Sequence, residues 1–187
     1  MQETRPMSDA TRLVTAEELE RFPDDDYRYE LADGRLIRMS PAGWEHGRIV
    51  ARLLFLLTQH VRSGHLDELA TEVGFTLRSN PDTVRAPDVA FVRRERMPSG
   101  RLRRFWIGPP DMAVEVISPD DRPRDICAKV EEYLICGVLA VVIVDPDKAA
   151  VTIHRRLSPP VMVSGDDDID LDDIVAEFRC RPREIFD

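Results

Sequence analysis

The sequence predicts an α/β (α+β) domain whose central mixed β-sheet is flanked by helices. Three stretches carry this prediction. Met112–Ile117 and Ala140–Val144 are apolar runs on either side of a helical stretch, Arg124–Cys136. That order is the strand–helix–strand pattern of a parallel βαβ unit buried on both faces. Tyr27–Leu31 and Arg35–Met39 flank Asp33-Gly34, a hairpin signal that supplies antiparallel strands. Trp44–Ser63 places Ile49, Val50, Leu53, Leu54, Leu57 and Val61 on one face of a long helix.

In chain order, residues 1–11 read as a disordered tail ahead of a single domain spanning 12–187. Thr15 is an N-cap, with Glu18 completing a capping box, and the short helix it starts ends near Phe22-Pro23. Asp24-Asp25-Asp26 reads as an exposed acidic turn. Glu30 lies within the first hairpin strand, where, taken alone, it reads as an outward-facing carboxylate. His46 stands in the first turn of the long helix, which Ser63-Gly64 closes.

Leu69–Leu77 reads as the next strand, followed by a turn at Ser79–Asp82 and then the stretch Val84–Val92. Pro87 suits the start of a strand or a bulge, and Asp88 directly precedes an apolar run. Six arginines fall between Arg93 and Arg104 around Pro98-Ser99-Gly100, a mobile basic loop. Arg93, Arg94, Arg101, Arg103 and Arg104 are its candidate nucleic-acid contacts, suited to a phosphate backbone and equally to plain solvent. Beyond the βαβ unit, Ala150–His154 pairs with the Val141 strand across the Asp145–Lys148 turn. Asp166–Asp173 is an acidic, solvated run in which Ile169 and Leu171 mark a short edge strand. Ile174–Phe178 and Ile185-Phe186 form a terminal element packing on the sheet.

At 187 residues, 43% hydrophobic and 33% charged, the chain has the composition of a soluble globular protein. Met1–Arg5 has no apolar leader and no apolar run reaches membrane-span length, which predicts a cytoplasmic protein without membrane contact. Cys127, Cys136 and Cys180 fit neither a zinc pattern nor a disulfide framework. A net charge of −9 excludes a general nucleic-acid coat protein but leaves room for a nuclease with local basic patches. Of 26 basic residues only Lys129 and Lys148 are lysines, a mild hint that Lys129 is kept for its compact ammonium.

The functional clue is Glu115, a carboxylate inside an apolar strand, costly to bury without a compensating cation or donor. Asp125, Lys129 and Tyr133, spaced four apart, share one face of the following helix, and its first turns lie near Glu115. For that helix alone, an Asp125–Lys129 surface pair with Tyr133 on the core edge is a sufficient account. Asp88 and Glu115 on adjacent strands, with the Val116 carbonyl, suit a hard divalent cation, Mg2+ or Mn2+. A lysine beside them would hold or help deprotonate an attacking water, or steady a pentacovalent phosphate.

In order and spacing, these residues resemble the PD-(D/E)XK nuclease superfamily, with its restriction-endonuclease-like core, and within it the Uma-type endonuclease-like family. The resemblance covers roughly Leu13 to Phe186. It is carried by Tyr29–Gly34, His46, Ala86-Pro87-Asp88-Val89, Val114–Pro119, Asp125–Lys129, Tyr133, Gly137-Val138 and Val144-Asp145-Pro146. It implies a metal-dependent endonuclease acting on DNA. Asp88 and Glu115 would be metal ligands, Lys129 the active-site lysine and Glu30 an auxiliary acid, with His46, Asp125 and Tyr133 in support. The wider superfamily places lysine two residues after the strand acid; here position 117 is Ile, and lysine stands on the next helix. A homodimer would suit double-strand cleavage.

The alternative is a non-catalytic nucleic-acid-binding module that keeps the nuclease fold. A hydrolase using Ser118 and His154 is weaker, because the G-x-S-x-G elbow is absent.

Overall fold

A computed structural model of the protein describes residues 12–22, 27–64 and 67–187. The elements run α1 (Ala16–Leu19), the hairpin β1 (Arg28–Ala32) and β2 (Arg35–Met39), α2 (Trp44–Gly64), then β3 (Glu68–Ala70) and β4 (Phe75–Arg78). β5 (Thr83–Arg85), β6 (Val89–Val92), β7 (Trp106–Ile107) and β8 (Met112–Val116) lead to α3 (Pro123–Ile135). The chain closes with β9 (Ala140–Asp145), β10 (Ala150–Arg155), β11 (Val161–Ser164), β12 (Ile169–Asp170), β13 (Arg179–Cys180) and α4 (Pro182–Phe186). The tail over 1–11 and the acidic turn at Asp24–Asp26 lie outside the described residues.

Two mixed sheets carry the architecture. One has the order β2-β1-β5-β4-β7, the other β11-β10-β9-β8-β6-β3. The βαβ unit sits in the second sheet: β8 and β9 pair in parallel, from Met112↔Ala140 to Val116↔Val144, with α3 crossing between them. Residues alternate across β8, as a strand requires. Met112, Val114 and Val116 pack with Ile49, Leu53 and Leu57 of α2. Ala113 faces the other way, with Val130 and Tyr133 of α3 and with Phe75 and Trp106 of the first sheet. By that alternation Glu115 faces α3, which decides which side chains it meets.

The structure corrects one strand. Leu69–Leu77 divides into β3 and β4, which belong to different sheets. Between them Glu72 has a left-handed backbone (φ 56°) and its N–H donates to the Pro87 carbonyl. A side chain at Gly74 would press on the Phe105 ring, its Cβ 2.4 Å from the nearest ring carbon, so only glycine fits this crossing. The stretch Val84–Val92 holds two strands, β5 and β6, with the second starting just after Pro87, which has no N–H to continue a ladder; the chain changes sheets there. Asp88 stands at that corner. At the amino end the capping box is present, with the Glu18 N–H donating to Thr15 Oγ1 at 3.2 Å and the Thr15 N–H to Glu18 Oε2 at 3.0 Å.

Candidate active site

The corner between the sheets brings two acids level. Val89 of β6 pairs with Val114 of β8, so Asp88, one residue earlier, stands opposite Glu115. The Val116 N–H donates to Asp88 Oδ2 at 2.8 Å, and His46 Nε2 lies 3.1 Å from Asp88 Oδ1. The other ring nitrogen of His46 is 3.1 Å from Ser118 Oγ. His46 is placed by the first turn of α2, whose apolar face buries Ile49, Leu53 and Leu57 against the sheet. Its hydrogen bond to Asp88 lifts the imidazole above its usual pKa, against the opposing effect of burial.

On the α3 side, Lys129 Nζ is 2.8 Å from Glu115 Oε1 and 3.4 Å from Glu30 Oε1. The fully buried Tyr133 donates its hydroxyl to the same Glu115 oxygen at 2.8 Å. Both donors end on Oε1, so Oε2 carries neither of these bonds. Burial raises Glu115 to about 7, with Asp88 and Glu30 adding like charge against the pull of Lys129. Burial opposes the Lys129 charge, but Glu115 and Glu30 outweigh it and hold the ammonium above its ordinary pKa. Tyr133 is raised well beyond the usual phenol, by burial and by the two carboxylates.

Glu30 is 1% exposed, so the outward-facing reading of its strand is corrected. It accepts from Arg85 Nη1 at 2.8 Å and from the Ala86 N–H at 2.9 Å. Burial disfavours its charge, but Lys129 and Arg85 win and hold its pKa below the ordinary carboxylate value. Arg85 also donates through Nε to Glu132. Sequence reasoning passed over Arg85 and Glu132. An arginine between Val84 and Ala86 in an apolar stretch was the available signal, since such a charge needs a buried partner. Glu132, three residues after Lys129, was legible as the same helix face.

A cavity of about 560 Å³ opens between the β1–β2 hairpin and α3, lined among others by Glu30, Arg85, Glu115, Lys129, Glu132 and Tyr133. Asp125 stands at its rim, solvent-exposed and 3.6 Å from Arg124, so the surface pair expected between Asp125 and Lys129 is replaced by the inward pairing of Lys129. The arginine stretch lies elsewhere. Arg93 and Arg94 follow the end of β6 opposite to Asp88, with Arg93 Nη2 donating to the Asp173 carbonyl. A 3-10 turn over Arg94–Arg96 and an Arg96–Asp111 pair at 2.9 Å hold its first half, where a mobile loop was expected. Arg104 is 3.5 Å from Glu20, and Arg101 and Arg103 are exposed. Ser118 meets His46, whereas His154 lies on β10 opposite Val141, so no Ser118–His154 pair forms.

Among the described residues no three histidine, cysteine or acidic side chains converge as a metal cluster. The donor chemistry nonetheless fits a hard cation resting on two carboxylates, backbone oxygen and water. Glu30, Glu115 and Glu132 pair with Lys129 and Arg85 around the cavity, and Asp88 pairs with His46 beside it. Glu115 is raised first by burial and then by the like charges of Asp88 and Glu30, a carboxylate whose charge a cation would favour.

Comparison with known proteins agrees with this architecture. The family model Uma2, described as "Putative restriction endonuclease", matches residues 16–183. Among curated proteins no match is found. Among solved structures, a "putative nuclease belonging to DUF820" from Anabaena variabilis ATCC 29413 superposes with a TM-score of 0.81 at 20% identity, covering 92% of this chain and 97% of that one. At that identity the likeness establishes the mixed α/β fold. The match over most of its length establishes that the chain belongs to the Uma2 family.

Proposed function

We propose that the chain is a Mg2+- or Mn2+-dependent endonuclease that hydrolyses phosphodiester bonds of DNA. The observation that carries this reading is Lys129 beside Glu115 at the wall of an open cavity, with the buried Asp88 level with Glu115 on the adjacent strand. Family membership supports a nucleic-acid substrate. Asp88, Glu115 and the Val116 carbonyl would hold the ion, whose Lewis acidity would stabilise charge on the phosphoryl oxygens.

The chain's own groups divide the remaining work. Lys129, kept protonated by its two carboxylates, acts as a donor rather than a base, orienting a water or a phosphoryl oxygen. Tyr133 and Glu30 fix where the ammonium and Glu115 sit, and Arg85 fixes Glu30. His46, braced by Ser118, holds the Asp88 carboxylate in its rotamer. Glu115→Gln removes one ligand charge while keeping the side-chain shape. It should abolish Mg2+-dependent nicking of plasmid DNA with an unchanged circular dichroism spectrum; full-rate cleavage by that variant rejects the assignment.

A second reading, binding of nucleic acid without cleavage, draws on Lys129 already neutralising Glu115 and Glu30. Calorimetric titration with Mn2+ separates the two, because a pure binder has no use for the ion.

A further inference from the structure

On the outer face of α2, Trp44 is 88% exposed, an expensive position for the largest apolar side chain in the chain. Trp44, Arg48, Arg52 and Phe55 recur at helical spacing, on the side turned away from the buried Ile49, Leu53 and Leu57. With Gly47 and Ala51 between them they line a groove of about 650 Å³ that runs about 16 Å along the helix. A Cβ on Gly47 would meet nothing within 4 Å, so the space above this position is open. The charged residues lining the groove, Arg48 and Arg52, are both cationic, in a chain whose net charge is −9. Arg48 is steadied by donating to the Phe186 carbonyl at 2.9 Å.

His46, two residues after Trp44, touches Asp88 from the opposite side of the helix, so the groove and the candidate active site lie on different faces of α2. We propose that this face of α2 binds an unpaired nucleic-acid strand, with a base stacked on Trp44 and phosphates against Arg48 and Arg52. The inference deepens the nuclease reading and rests on it. An exposed indole face beside cationic side chains is the chemistry of single-strand binding, since every unpaired base offers a π-face and every linkage a charge. A second copy of the chain fits the groove less well. A two-fold contact would set Arg48 and Arg52 against their own copies, with no carboxylate in the groove to separate them.

The chain has two tryptophans, and Trp106 is only 8% exposed, so surface quenching of emission reports Trp44. Glu115→Gln protein in EDTA, titrated with a fluorescently labelled oligothymidylate of about twenty nucleotides, should lose indole emission as anisotropy rises. Trp44→Ala should weaken that binding about tenfold, the order produced by losing one base–aromatic stack, and Trp44→Phe should restore most of it. An affinity unchanged by Trp44→Ala, or emission unchanged at saturation, overturns the inference, and the nuclease reading survives if the wild type still cleaves. An oligonucleotide that binds nowhere on a non-cleaving wild type overturns both. An emission change that follows protein concentration without DNA, with a doubling of mass, shows the groove closed by a second copy and also overturns it.

Discussion

The N–H of Val116 donates to Asp88 Oδ2 at 2.8 Å, joining the carboxylate at the corner before β6 to the backbone of the strand that carries Glu115. The two acids are therefore positioned by one rigid connection. Asp88→Ala strands the Val116 amide and takes away the acceptor of His46, so it should cost about 1–3 kcal/mol of stability. Asp88→Asn keeps an acceptor oxygen and should stay near wild-type stability. Both should lose Mn2+ affinity in calorimetry. An Asn variant that binds Mn2+ as well as the wild type removes Asp88 from the ligand set.

Lys129→Met leaves Glu115 and Glu30 facing each other in a largely buried space. Loss of one partner of a buried pair costs about 3–5 kcal/mol, and the partial exposure of Lys129 favours the low end. The deficit should depend on pH. At pH 5 Glu115 is protonated with or without its partner, whereas at pH 8 the variant must either keep that proton or bury an unpaired charge. Urea denaturation at the two pH values should give a wild-type-minus-variant gap that widens from pH 5 to pH 8; a constant gap argues that Lys129 contributes packing alone.

Metal-free protein should become less stable as pH rises through the neutral range. Glu115 titrates at about 7 in the folded chain, against an ordinary carboxylate value of 4.5. Between these values the folded state keeps a proton that the unfolded chain has released, so stability falls with rising pH, by about 3 kcal/mol at most. His46 acts in the same sense at higher pH: its raised pKa gives stability that is complete below 6.5 and fades as pH climbs through its folded value. Glu30 has a lowered pKa, and its contribution is lost only at acid pH, outside this window. Thermal melts in EDTA should show a lower Tm at pH 8 than at pH 5, with Glu115→Gln flattening the slope. Added Mg2+ should raise Tm more at pH 8, because its ligand must be deprotonated. A Tm that climbs from pH 5 to pH 8 in EDTA contradicts the raised Glu115.

The βαβ unit, the Asp33-Gly34 hairpin and α2 were legible because each is written locally, in periodicity and turn residues. The division at Glu72–Gly74 was not, because a chain that changes sheets keeps the apolar pattern of one that does not; at Pro87 a strand start was legible but the change of sheet was not. For the same reason Glu115 and Lys129 could be paired from a single βαβ unit, while Glu30, on another sheet, read as outward-facing. Arg85 went unnoticed because its partners, Glu30 and Glu132, lie 55 and 47 residues away.

Those two partners make Arg85 the test of whether the first sheet tunes the site in the second. Arg85→Met should cost about 3–5 kcal/mol, because Glu30 is then left with Lys129 as its one cationic partner and Glu132 loses its Arg85 donor. Adding Glu30→Gln should recover part of that loss, since the buried charge goes with its partner; the interaction energy from the double-mutant cycle should exceed about 1 kcal/mol. Catalysis should respond separately from stability. With Arg85 gone, Glu30 draws the Lys129 ammonium away from Glu115, so cleavage should fall in Arg85→Met below the melting transition and return partly in the double variant. A double variant that regains stability while its cleavage stays as low as in Arg85→Met places Arg85 in contact with substrate, a role for which the cavity wall already gives it access.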